Sequence, residues 1–62
     1  MIYKLKDQDT NDSIEFEGTE SGSVIITIEE FESIKYSLEI TKEQVFTLVG
    51  ALHTIQKHSK NK

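Results

Sequence analysis

The chain has 62 residues, a formal net charge of −4 and no cysteine, proline, tryptophan or arginine. That length allows one domain and no second core, and the missing cysteine excludes disulfides and thiolate metal sites. Without arginine, the usual bidentate reader of phosphate, carboxylate and guanine is lacking.

Taken in chain order, four stretches alternate with period two, the pattern of half-buried strands. Met1, Tyr3 and Leu5 oppose Ile2, Lys4 and Lys6; Ile14 and Phe16 oppose Glu15 and Glu17. Next, Val24, Ile26 and Ile28 oppose Ile25, Thr27 and Glu29, and Ile34, Tyr36, Leu38 and Ile40 oppose Lys35, Ser37 and Glu39. The links are short and polar: Asp7 to Asp12, Gly18 to Gly22, and Glu29 to Ser33 with Phe31 at its tip. Short links between consecutive strands favour an antiparallel meander. Pairing then sets Leu5 opposite Ile14, Tyr3 opposite Phe16 and, on the other face, Lys4 opposite Glu15. The first and fourth strands are nominal edges.

The segment after Ile40 opens a helix. Thr41 and Gln44 fit a capping box, and Ile40 with Val45 can form the hydrophobic staple. Glu43 in the first turn and Lys57 in the last suit the helix dipole. Val45, Leu48, Val49, Leu52 and Ile55 form one apolar stripe at helical spacing, expected to cover the apolar face of the sheet. The predicted fold is α+β: a four-stranded antiparallel β-meander followed by one C-terminal helix packed on one face. Residues 1–58 make the domain and 59–62 a frayed basic tail.

No arrangement of residues suggests catalysis or a cofactor. His53 and His58 are separated by about 140° around the helix and do not face one site. No glycine-rich phosphate loop and no nucleophile elbow occurs. The run Asp7-Gln8-Asp9-Thr10-Asn11-Asp12 resembles the start of a calcium loop. It departs from that pattern where Asp12 replaces the turn glycine and Gly18 the bidentate glutamate, so no metal site is assigned.

Charge is uneven. Residues 1–56 hold all 11 acids against four lysines, a net charge of −7, and Lys57, Lys60 and Lys62 add +3. An acidic body is a poor ligand for nucleic acid, which is bound largely through cations. It does permit mimicry of a phosphate backbone, although Lys4, Lys6 and Lys35 interrupt the acidic face. No stretch approaches the roughly 18 apolar residues of a membrane span, and no signal-peptide block is present; a cytoplasmic protein is expected. The abundance of Lys, Ile, Glu and Thr resembles coding from an AT-rich genome, a bias shared by many small viral and prophage genes.

A domain of this size buries only about 60% of its unfolded surface and usually needs a staple. A homo-oligomer is therefore expected. Phe46, Gly50 and His53 lie on one flank of the helix beside the core stripe and are the candidate self-association residues. Gly50 costs about 1 kcal/mol against alanine in a helix interior, which suggests a packing reason. Phe31, with Glu30 and Glu32, is the candidate anchor for a protein partner. The expected function is a small non-enzymatic binding protein, homodimeric, that docks on and inhibits or modulates another macromolecule, as a virus- or prophage-encoded inhibitor or counter-defence factor would. One alternative is an oligomer that sequesters a nucleotide or metabolite with Lys35, Tyr36 and Lys42. Another is an acidic DNA mimic.

Overall fold

The computed structural model describes residues 1–31 and 33–59, the side chains of Ile34 and Lys35 excepted. Strands β1 (Ile2–Lys6), β2 (Ser13–Gly18), β3 (Val24–Glu30) and β4 (Ser33–Ile40) are followed by helix α1 (Lys42–His58). The sheet order is β1-β2-β3-β4 with every pair antiparallel, so the ββββα meander of the sequence reading is the fold.

The registers are those the alternation implies. One apolar row runs across all four strands through Tyr3, Phe16, Ile26 and Leu38, and a second through Leu5, Ile14, Ile28 and Tyr36. Directly opposed residues share a face, so these rows define one apolar side. The opposite side carries the rows Lys4, Glu15, Thr27, Ser37 and Ile2, Glu17, Ile25, Glu39. The alternation breaks once. Ile28 pairs with Tyr36 while Glu29 pairs with Ile34, a bulge that leaves Lys35 as the extra residue of β4. A bulge shifts face assignment by one position, so Ile34 takes the register position opposite Glu29 and does not continue the Tyr36 row.

Helix α1 starts as its sequence requires. The Gln44 amide donates to Thr41 Oγ1 at 3.2 Å, and the Thr41 amide donates to Gln44 Oε1 at 2.8 Å, completing the capping box. Gly22 (φ +94°) turns the β2–β3 link beside this start, and a Cβ there would meet Lys42 Cδ at 3.1 Å. At the far end, Ser59 donates its amide to the Gln56 carbonyl and its hydroxyl to the Ile55 carbonyl.

The apolar stripe does not cover the sheet as expected. An open groove of about 400 Å³ separates Ile26 and Ile40 from Gln44, Thr47, Leu48 and Ala51, which are the helix residues that line it. These sit on average roughly 115° around the helix from Val45, Val49 and Leu52, at about 100° per residue. Val45 and Leu48 are half-buried, whereas Val49, Leu52 and Ile55 are exposed, Leu52 to 56%. The cause is the link. Only Thr41 separates β4 from α1, whereas strand-to-helix connections usually take 2–6 residues. One residue gives the chain little room to reverse and lay the stripe flat over the strands.

The consequence is a domain with an open interior. Among the described residues no apolar side chain is buried; the two buried side chains are Ser13 and Ser23, each 8% exposed. The accessible surface is 5415 Å², against about 4,100 Å² for a folded monomer of this mass. The Cα radius of gyration is 13.3 Å, against about 10.6 Å for a compact chain of this length.

Candidate binding surfaces

Two surfaces stand out, one on each side of the sheet. On the polar side, an open cleft of about 320 Å³ is lined by Lys4, Lys6, Asn11, Ser13, Glu29 and Phe31. Strand alternation brings Lys4 and Lys6 of β1, Ser13 of β2 and Glu29 of β3 onto the same face. Ser13 Oγ donates to Glu29 Oε1 at 3.3 Å, and Lys4 Nζ lies 3.3 Å from the same oxygen. Thus Lys4 stands opposite Glu15 in register, as expected, but its ammonium reaches across β2 to Glu29. Lys6 makes no ion pair among the described residues, so the cleft carries one uncommitted cation in an acidic body.

Two residues lining the cleft have backbone in the left-handed region. Asn11 has φ +68° and Phe31 φ +57°, and these are the non-glycine residues with positive φ among those described. Asn11 tolerates this conformation because its short amide can bond locally. Its place is fixed by its own N–H donating to the Asp7 carbonyl at 2.8 Å. The Asp7 side chain accepts the Asp9 amide at 2.9 Å, and Asp12 N–H donates to Thr10 Oγ1 at 3.1 Å. The Asp-rich link is thus organised as a turn by its own side chains. Among the described residues no group of three His, Asp or Glu is placed to hold a metal ion.

Phe31 is different. A bulky side chain in the left-handed region is strained, and residues of this kind collect at binding and switch sites. The ring is 65% exposed and lines the cleft beside Lys4 and Lys6. Phe31 follows Glu30, the last residue of β3, and Glu30 pairs with Ser33, so the loop is two residues long. Such loops favour Asn or Gly with positive φ. Of the other partner candidates, Glu30 is exposed and Glu32 lies outside the described residues.

The second surface is the apolar side. Tyr3, Leu5, Tyr36 and the helix residues Val49, Leu52 and Ile55 are all exposed, with Ile28 and Leu38 just less so. Of the residues expected to mediate self-association, Phe46 is 71% exposed, His53 is exposed, and a Cβ at Gly50 would meet nothing within 4 Å. A single copy therefore contains no packing reason for Gly50. The expected ligand set is dispersed. Tyr36 lies on the apolar sheet face and Lys42 beside Gly22 at the helix start, while the Lys35 side chain lies outside the described ones.

At the other end of the sheet, a hydroxyl network ties the β2–β3 link together. Thr19 Oγ1 and Ser23 Oγ share a hydrogen bond at 2.7 Å, and Ser23 Oγ donates to the Glu39 carboxylate. That network occupies Glu39, and Lys4 occupies Glu29, so two acids of the polar face are engaged within the chain. No helix among the described residues is long and apolar enough to cross a membrane. No protein-family model, curated protein or solved structure matches the chain.

Proposed function

We propose that the chain is a non-enzymatic binding protein that self-associates through its apolar side and docks on another protein through the Phe31 cleft on its polar side. The observation that carries the docking reading is the convergence of both left-handed non-glycine residues, Asn11 and Phe31, on one cleft that also holds Lys6. Strain at Phe31 opposes folding, and its ring gains little burial within the chain in return. A binding role gives that conformation a use: it presents a rigid aromatic anchor with few rotatable bonds, the residue type that dominates binding energy at interfaces. Lys6 beside it supplies a cation for a carboxylate of the partner. Inhibition or modulation of that partner follows from occupation of its surface.

The test is capture from the native host with a photoreactive phenylalanine analogue at position 31, read by native mass spectrometry. A defined protein adduct that wild-type chain competes away and Phe31→Ala chain does not supports the reading. Equal competition by wild type and Phe31→Ala contradicts it. Added mass of a nucleotide or metabolite in place of a protein would replace docking by sequestration.

A further inference from the structure

We infer that the occupant of the open apolar side is a second copy of this chain, with the exposed stripe of each α1 helix laid on the apolar sheet face of the other. The inference rests on the reading that the chain works by association, and it specifies how. Three observations carry it. First, each chain presents both halves of a contact: a sheet face with Leu5 and Tyr36 open, and a helix stripe with Val49, Leu52 and Ile55 open. A helix packed on a sheet is the layer architecture that buries both, and within one chain the stripe residues Val49, Leu52 and Ile55 stay exposed behind the single-residue link. A twofold exchange satisfies both copies with one self-complementary interface and leaves no unmatched surface to propagate.

Second, the open area is sufficient. The surface of 5415 Å² exceeds that of a folded monomer of this mass by about 1,300 Å². Were that excess covered in both copies, about 2,600 Å² would be buried in total, within the range of obligate homodimers. Third, lengths match. The 17-residue helix is about 26 Å long at 1.5 Å per residue, and the eight-residue strand β4 spans about 27 Å at 3.4 Å per residue. The candidate flank Phe46, Gly50 and His53 then lies at the border of the interface. The polar cleft stays free on the opposite side of each sheet.

The absence of cysteine makes the test direct. Two chains are prepared, one with Leu52→Cys on the helix and one with Tyr36→Cys on the sheet, then mixed, allowed to re-equilibrate and oxidised. The expected result is a disulfide-linked heterodimer in several-fold excess over either self-linked product, with wild-type chain sedimenting at twice its monomer mass. Three results overturn the inference. One is a monomer at micromolar concentration. The second is a dimer in which Tyr36→Cys links mainly to itself, which would place sheet against sheet or edge against edge. The third is a dimer in which Leu52→Cys links mainly to itself, which would place helix against helix. A monomer that keeps its Phe31-dependent partner would remove self-exchange and leave the docking reading standing. An exchanged dimer that Phe31→Ala leaves with every partner would do the reverse.

Discussion

The two sides of the sheet meet their physical demands in different places. On the polar side the demands are met within one chain: Ser13 and Lys4 converge on Glu29, and Ser23 bonds Glu39. On the apolar side they are not, since no apolar residue among those described is buried. Hydrophobic burial is the dominant favourable contribution to folding, while exposed ion pairs contribute about 0–1 kcal/mol each. A chain that satisfies the weaker requirement internally and leaves the stronger one open is, on the proposed exchange, half of a folding unit. If a second copy covers the apolar side, stability and assembly are one equilibrium.

The largest expected effect comes from a charge placed on the apolar side. Leu52→Glu is expected to cost about 3 kcal/mol or more if the helix stripe is buried against a second copy, as an unpaired buried charge does. On a solvent-facing helix the same change stays within about 0.5 kcal/mol. Urea denaturation at one fixed protein concentration separates the two. Dilution probes the same point without a substitution. Each tenfold drop in concentration should remove about 1.4 kcal/mol from a folded dimer, lowering Tm by about 5 °C for two chains of this size. A Tm independent of concentration would mean that the apolar side is stable in solvent.

Smaller effects sharpen the map. Phe31→Asn should raise stability by about 1 kcal/mol, because asparagine accepts the left-handed backbone that Phe31 is forced into, while partner capture falls. Thermal unfolding and the competition assay read both, and a loss of stability would show that the ring packs usefully within the fold. Gly50→Ala should also stabilise by about 1 kcal/mol through helix propensity, since a Cβ there meets nothing in one copy. Destabilisation accompanied by weaker dimerisation would move the interface onto the Phe46–Gly50–His53 flank. Lys4→Ala on the polar side should cost less than about 1 kcal/mol, as its ammonium is half exposed in its pair with Glu29.

Much of this molecule was legible in its sequence. The four strands, the pairing of Leu5 with Ile14 and Tyr3 with Phe16, and the Thr41–Gln44 capping box rest on local periodicity and spacing, which the fold keeps. The bulge was hidden because Ile34 and Tyr36 are two apart whether or not Lys35 is an extra residue. Helix placement was not legible from the stripe, which records that Val49, Leu52 and Ile55 are apolar but not that they stay exposed in one chain. The one-residue link at Thr41 was the available signal against self-cover. Phe31 was visible as an aromatic among acids. Its meeting with Asn11, Lys4 and Lys6 required the sheet order, which joins positions far apart in the chain.

The central claim, that the apolar side is completed by a second copy, is tested most directly by sedimentation equilibrium of the unmodified chain across the micromolar range. The expected mass is twice that of the 7.1 kDa chain, falling toward one chain on dilution together with loss of the folded signal. A folded, monodisperse species of one chain mass throughout that range would contradict it.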